Sequence, residues 1–366
     1  MKTMRRGDWI LTGITACALA ASLTGCSPSQ DFPSTSVPVA SVAPPIEPAI
    51  VSCNTLLPAS AAATALSVEA SVLSPRADDV FPAGVDRPEW AVIADMQTAA
   101  GRASGMLTCG WVADPDAGPK ASGVRVSVLP GAAAEFAAIE PDVDDGLNDF
   151  APADVGEVGF VACRGGEADQ CRVEAIAGDT WISLTVSPAP ADPTRTLDLA
   201  RAVARQVQGM AAPTIRPART ECSAALSSEV LANVAGITDP QMYDALTIPA
   251  REAGITTAAS RHGGLISCSW TSGDPGTSGS VSLMALPMVA ISSPNPPLTM
   301  PATPVMHAIA GVGDSAGAGC GPDSCVLIAA DATMLVRLTS TEVSDTTIAA
   351  LTQLAIIALP SLSAAR

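Results

Sequence analysis

Cysteine is the residue type with the clearest chemical potential in this chain, which contains 10 cysteines. Cys17 and Cys26 belong to an N-terminal apolar segment, and the other eight form two similar quartets: Cys53, Cys109, Cys163 and Cys171, followed by Cys222, Cys268, Cys320 and Cys325. An even number of cysteines in an exported chain is typical of disulfide bonds. Zinc is the competing chemistry, but histidine is not found near the closely spaced cysteines. We therefore expect disulfides and neither a metal nor a cofactor.

Three pairings are possible within each quartet, and the sequence alone does not choose among them. The last two cysteines of each quartet are close together and enclose turn-forming residues, Gly165-Gly166 in the first quartet and Gly321-Pro322 in the second. Both spacings favour a bond across a tight hairpin. The favoured pairs are then Cys53 with Cys109, Cys163 with Cys171, Cys222 with Cys268, and Cys320 with Cys325.

The segment Gly313-Asp314-Ser315-Ala316-Gly317 is the nearest approach to a catalytic motif, because it almost matches the sequence around the nucleophile of chymotrypsin-like proteases. Such a serine needs a histidine base and an acid that orients the histidine. His262 and His307 are the two histidines, and neither lies in a recognisable base motif. The matching segment earlier in the chain, Gly156-Glu157-Val158, has no hydroxyl. A glycine–acid turn that leads into a strand explains both segments, so we expect a protein that is not an enzyme.

Three other patterns have plain structural explanations. The acidic segment Asp142–Asp149 has the wrong spacing for a calcium loop, and Ala153 stands where the final glutamate would be, so we expect a solvated loop. His262, beside two glycines, is expected in a surface loop. Trp111 and Trp270 each follow a cysteine by two residues, which favours packing beside a disulfide over a binding groove.

The first 26 residues are organised like a secretory signal peptide. A basic head with Lys2, Arg5 and Arg6 precedes the uncharged run Trp9–Leu23, which is shorter than the ~20 residues that span a bilayer as a helix. The segment ends in Leu23-Thr24-Gly25-Cys26, which resembles the lipobox of bacterial lipoproteins. The resemblance implies that Cys26 carries lipid and holds the protein on the outer face of the cell membrane. An ordinary signal peptide cleaved elsewhere is the alternative.

The chain is strongly acidic, with a formal net charge of −17 at pH 7. This charge repels nucleic acid and anionic headgroups, so nucleic acid is excluded as a partner and the lipid must provide the membrane contact. Lys2 and Lys120 are the only lysines, and every other basic residue is arginine. This bias, with the abundant alanine, is typical of a GC-rich genome and suggests an actinobacterium.

The chain contains an internal duplication. Cys53-Asn-Thr-Leu-Leu, Cys109-Gly-Trp and Val155-Gly-Glu recur in the same order as Cys222-Ser-Ala-Ala-Leu, Cys268-Ser-Trp and Val312-Gly-Asp. Two copies of this length match the size of ordinary domains. The predicted organisation is a signal peptide at 1–25, a Pro/Ser-rich stalk at 26–48, a first repeat at 49–210, a linker at 211–220 and a second repeat at 221–366.

Each repeat is predicted to contain a helix, two strands, a variable loop, three strands and a closing helix. In the first repeat the predicted helices are 49–66, 132–139 and 194–208, and the strands are 105–112, 123–129, 160–163, 171–176 and 180–186. The closing helix of the second repeat is predicted at 344–357, with Leu351, Leu354 and Ile357 covering the sheet. The fold class is α+β: two tandem repeats, each an antiparallel sheet with helices packed on one face and stabilised by disulfides.

These motifs together resemble the small extracytoplasmic domains of actinobacterial lipoproteins of unknown function. The resemblance implies location and fold, and no activity. We expect a lipid-anchored protein that binds a ligand or a protein partner without catalysis, with the cleft between the repeats as the expected site. A secreted serine hydrolase that uses Ser315 and a structural partner in envelope assembly are the alternatives.

Overall fold

Two antiparallel sheets, one in each half of the chain, organise the fold. The structure is a computed structural model that describes residues 51–76, 88–114, 121–138, 150–164, 170–188, 193–213, 221–244, 246, 254–273, 279–288, 306–344 and 346–364. The predicted signal peptide and stalk lie outside these ranges.

The first repeat supplies one sheet and its covering helices. Its elements are α1 (Cys53–Leu56), α2 (Ala59–Leu66), a 3-10 turn (Ala70–Val72), β1 (Leu73–Arg76), α3 (Pro88–Ala103), β2 (Leu107–Ala113), β3 (Ser122–Pro130), α4 (Ala133–Ala138), β4 (Ala151–Pro152), β5 (Val158–Arg164), β6 (Gln170–Ala177), β7 (Thr180–Ser187) and α5 (Thr194–Val207). The strand order is β1-β2-β3-β7-β6-β5-β4, and neighbouring strands are antiparallel.

The second repeat builds a sheet with the same connectivity. Its elements are α6 (Cys222–Ala225), α7 (Ser228–Ala235), β8 (Pro240–Asp244), α8 (Ile255–His262), β9 (Ile266–Ser272), β10 (Ser280–Pro287), β11 (His307–Ala308), β12 (Ser315–Cys320), β13 (Cys325–Ala330), β14 (Met334–Ser340) and α9 (Thr347–Ala364). The strand order is β11-β12-β13-β14-β10-β9-β8, again antiparallel. In the described residues, both sheets therefore have seven strands, and the α+β fold class is confirmed.

Each sheet buries one face under helices of its own repeat. In the first repeat, Val124, Val126 and Val128 alternate along β3 with residues of the opposite face, and they pack against α1, α2 and α5. Helix α5 supplies Leu199 and Val203 to the same core because positions four apart share a helix face.

Helix α9 covers the corresponding face of the second sheet. Its buried residues are Thr347, Leu351, Leu354, Ala355, Ala358, Leu359 and Leu362. Ile357, which was predicted to cover the sheet, is instead 36% exposed. By length and composition alone α9 could cross a membrane, but 39% of it is buried inside the fold.

The opposite face of each sheet is covered by a helix from the other repeat. Ile255, Ala258 and Ala259 of α8 pack with Leu129 and Trp181 of the first sheet. Reciprocally, α3 supplies its buried residues to a cluster on the second sheet: Met96, Ala99 and Ala100 pack with Leu265, Met284, Leu286, Val326, Ile328 and Leu335. The two helices also contact each other, and residues 47–366 form one compact unit.

This exchange of helices adds a layer that the sequence did not predict. Helices α3 and α8 were absent from the predicted order of elements, as were the edge strands β1 and β8. The remaining predicted helices and strands of the first repeat occur close to their expected positions, with 49–66 divided into α1 and α2.

Candidate functional site

The structure does not bring Ser315 and His307 together. Ser315 is exposed at the start of β12, whereas His307 in β11 pairs with Ala318. Directly paired residues share a face, and residues three apart along a strand lie on opposite faces. His307 and Ser315 therefore lie on opposite faces of the sheet.

The Val-Gly-acid segments form turns that close on a neighbouring strand. Gly156 and Gly313 have φ values of 65° and 55°, in the left-handed region that favours glycine. A Cβ at these positions would lie 2.0 Å from the carbonyl oxygen of Ile176 and 2.4 Å from that of Ala330. The N–H of the acidic residue after each glycine donates to the same carbonyl, at 2.9 and 2.8 Å. Packing thus explains the segment around Ser315, as the sequence predicted.

His262 is not in a surface loop, which corrects the prediction from its neighbouring glycines. It is the last residue of α8 and only 7% exposed, because α8 is buried between the two sheets. Its Nε2 lies 2.5 Å from Oε1 of Glu135 in α4 of the first repeat. His262 therefore contributes a polar contact between the repeats.

A second buried carboxylate belongs to Glu174, which is 4% exposed on the face of the first sheet that receives α8. Its Oε1 accepts hydrogen bonds from Arg172 Nε at 2.6 Å and Ser183 Oγ at 2.7 Å. Its Oε2 accepts one from Trp181 Nε1 at 2.7 Å. Three donors bind this carboxyl group, which is the arrangement expected of a buried polar group with a structural role.

The four disulfides join the favoured partners: Cys53 with Cys109, Cys163 with Cys171, Cys222 with Cys268, and Cys320 with Cys325. Both tryptophans of the Cys-x-Trp strands pack, as predicted. Trp111 Nε1 donates to the Leu57 carbonyl at 2.7 Å, and Trp270 is 2% exposed in the core. Each disulfide lies within one repeat, so the contacts between repeats are non-covalent.

Two of the predicted features lie outside the described residues: Cys26 and the acidic segment Asp142–Asp149. In the part of the chain that the structure describes, no group of three or more His, Cys, Asp or Glu side chains is placed to hold a metal ion.

An open groove of about 390 Å³ lies in the second repeat, between the end of α7 and the first turns of α9. Gly236, which follows α7, and Thr346, which precedes α9, both line it, and Val281 and Leu354 are among its apolar residues. We call it the α7–α9 groove. Its volume falls within the range of small-molecule sites.

The polar lining of the groove is made mainly of uncharged groups: Ser340, Ser344, Thr346, Thr347 and Gln353. Glu342 adds one carboxylate. Ser344 Oγ lies 2.8 Å from Thr347 Oγ1 and 3.1 Å from Thr346 Oγ1, so these hydroxyls hold one another in place. Each hydroxyl has one donor and two acceptor sites, so the set retains capacity for a ligand.

The corresponding position in the first repeat is bridged by side chains. Aligning the buried positions of α5 (196, 200, 203, 204, 207) with those of α9 (347, 351, 354, 355, 358) places Arg195 where Thr346 stands. Ser67, the left-handed residue after α2, corresponds to Gly236 after α7. Arg195 Nη1 donates to Ser67 Oγ and so joins the two helices. In the second repeat, glycine and threonine stand at these two positions and both line the groove.

The groove has no reactive residue by which the sequence could have identified it. The sequence predicted instead that the site lies in the cleft between the repeats. In the described part of the chain, helices α3 and α8 pack between the two sheets, where that cleft was expected. The repeats differ in sequence at the groove: Gly236 takes the place of Ser67, and Thr346 takes the place of Arg195. No family model, curated protein or solved structure matches this chain.

Proposed function

We propose that this protein is a lipid-anchored extracytoplasmic lipoprotein that binds a small ligand in the α7–α9 groove without catalysis. The observation that carries the proposal is the difference between two copies of one fold. The groove is open at Gly236 and Thr346, whereas Arg195 and Ser67 bridge the same position in the first repeat. The two copies therefore present different surfaces at this position, and we assign ligand binding to the open one.

The absence of catalysis is proposed from the placement of the reactive side chains. Ser315 and His307 occupy opposite faces of the sheet, and His262 Nε2 contacts Glu135. A nucleophilic serine needs a base within hydrogen-bond reach. Labelling of Ser315 in the intact protein by a fluorophosphonate probe would contradict this part of the proposal.

The groove is tested by transferring the residues of the first repeat into the second. The variant Gly236→Ser/Thr346→Arg is expected to keep the fold and to close the groove. Wild type and variant are equilibrated with small-molecule extracts of the cell envelope, and bound compounds are identified by mass spectrometry. The proposal expects compounds enriched by wild type and by the control Gly279→Ser/Val72→Arg, and lost from the closed variant. Equal enrichment by all three proteins would overturn it.

The anchor is proposed from Leu23-Thr24-Gly25-Cys26 and from the chemistry of two or more acyl chains, which hold a protein firmly on a bilayer. Four disulfides in the structure suit an oxidising compartment. Radiolabelled palmitate should mark the wild-type protein in the membrane fraction and should not mark Cys26→Ser. Equal labelling of both proteins, or of neither, would contradict the anchor.

A further inference from the structure

An uncharged strip runs along α9 away from the α7–α9 groove. Ala349, Gln353, Ile356 and Pro360 are all exposed. Positions three and four apart share a helix face, so these residues form one row. We call this row the α9 strip. The whole of α9, Thr347–Ala364, contains no charged residue, in a chain whose formal net charge is −17.

Two of the four equivalent positions in the first repeat carry charged residues. In the alignment of buried positions described above, Asp198 takes the place of Ala349 and Arg205 takes the place of Ile356, and both are exposed. The first repeat thus shows that this position in the fold accepts charged, solvated side chains. The packing of the helix therefore does not require Ala349 and Ile356 to be apolar.

The groove and the strip are continuous because they share Ala349 and Gln353, which line the groove. From Ala349 to Ile356 the helix rises about 10 Å, at 1.5 Å per residue. A ligand that occupies both would have a polar end among the hydroxyls of Ser344, Thr346 and Thr347 and an apolar end against Ile356. That is the outline of a single-chain amphiphile.

The charge of the site selects the headgroup. Glu342 and the strongly acidic chain disfavour an anionic head. Hydroxyl and amide groups outnumber the single carboxylate in the lining, and they suit a head that donates and accepts hydrogen bonds. We infer that the groove and the α9 strip bind a single-chain amphiphile with an uncharged polyhydroxyl head. This inference rests on the proposed function of the groove.

The test uses the full chain with Cys26→Ser and measures binding of 1-monolauroylglycerol below its micellar concentration by calorimetry. Gly236→Ser/Thr346→Arg and Ile356→Arg, which each introduce residues of the first repeat, are each expected to weaken binding about tenfold or more. Met242→Gln, which changes an exposed apolar residue of β8, is the control and should bind like the parent. Lauric acid, whose carboxylate Glu342 and the acidic chain repel, should bind at least about tenfold more weakly than the glycerol ester. Dodecyltrimethylammonium should also bind at least about tenfold more weakly, because its head can neither donate nor accept the hydrogen bonds that the hydroxyl and amide lining offers.

The outcomes separate the two proposals. Monobutyrin has the same head and a short chain. If it binds as tightly as monolauroylglycerol, and only Gly236→Ser/Thr346→Arg weakens its binding, then the groove binds a ligand but the inference of an amphiphile is wrong. Equal affinity for the charged amphiphiles also overturns the inferred head. If the closed variant binds every probe and every enriched compound like wild type, the proposed function and this inference both fail.

Discussion

At the scale of single residues, Gly156 and Gly313 form equivalent turns, and the turn at Gly313 accounts for the segment that resembles a catalytic motif. A buried valine precedes each glycine, and a strand begins two residues after it. The carbonyl oxygens beside them leave no room for a Cβ. The motif recurs in both repeats because both need the same turn.

Alanine at these glycines separates backbone strain from crowding. Gly178 also has a positive φ, 62°, but a Cβ added there would have no atom within 4 Å, so Gly178→Ala should lose only about 1 kcal/mol of unfolding free energy. Gly156→Ala and Gly313→Ala should lose about 1–3 kcal/mol more, because the strand carbonyl must move. Urea denaturation measures all three, and equal losses would contradict the proposed crowding.

Asp331 is a residue whose charge the fold stabilises. Its burial alone would raise the pKa of the carboxyl, but hydrogen bonds from Thr333, Met334 and Ser363 prevail and hold the pKa below its ordinary value of 3.8. Ser363 belongs to α9, so the carboxylate joins the β13–β14 hairpin to the end of that helix.

The lowered pKa of Asp331 predicts a pH-dependent loss of stability. A carboxyl group with a lowered pKa in the folded state contributes stability above its unfolded pKa of about 3.9, and this contribution is lost as the pH falls through the folded pKa. Asp331→Asn should therefore lower the Tm at pH 7, and the difference from wild type should shrink as the pH falls below about 3.9. A Tm difference that stays constant down to pH 2.5 would contradict this assignment.

At the scale of elements, the two repeats are in close contact where α8 ends against α3. Gly263 has an ordinary φ of −77°, yet a Cβ there would lie 2.0 Å from the carbonyl oxygen of Ala100. Small residues at this contact allow two helix backbones to approach each other. The contact therefore depends on the missing side chain of Gly263 and not on its conformational freedom.

Gly263→Ala should disturb the exchanged helices without straining the backbone. We expect a loss of about 1–3 kcal/mol of unfolding free energy, since α3 and α8 must separate. Gly279→Ala, in open space, is the matched control and should change stability by less than about 0.5 kcal/mol. Thermal and urea unfolding of the two variants measure the difference, and equal stability would show that the helices do not meet as described.

The elements that the sequence predicted are those with strong periodic signals. Strand β3 alternates Val124, Val126 and Val128 towards one core, and α5 repeats apolar residues every three or four positions. The described side chains that α3 and α8 bury include four alanines and Ser260, which are weak sequence markers of a buried helix face. The edge strand β1, Leu-Ser-Pro-Arg, contains a proline, which lowers any strand prediction.

The candidate site was less predictable than the fold because it depends on the absence of the side chains that bridge the same position in the first repeat. Gly236 and Thr346 are common residue types with no reactive group. They define a groove only when they are compared with the Ser67–Arg195 pair at the same place in the other repeat. That comparison requires the helices of the two repeats to be aligned by their buried positions, which the structure provides.

At the scale of the whole molecule, the exchange of α3 and α8 makes each repeat depend on the other. A protease site inserted within 214–220 tests this dependence, because each disulfide lies within one repeat and cleavage leaves no covalent link. After cleavage the two fragments should co-elute in size-exclusion chromatography and should separate only in denaturant. Separation in native buffer, with both fragments still folded, would show that the repeats are independent domains.

The asymmetry between the repeats is the basis of the proposed function, and one crystal structure tests it within a single molecule. Crystals of the full chain with Cys26→Ser are soaked in 1-monolauroylglycerol. The prediction is that its glycerol head lies beside Ser344 and Thr347, that its chain follows the α9 strip to Ile356, and that the Arg195–Ser67 bridge of the first repeat is not occupied. Ligand density at that bridge, or an empty groove with ligand bound elsewhere, would contradict the account.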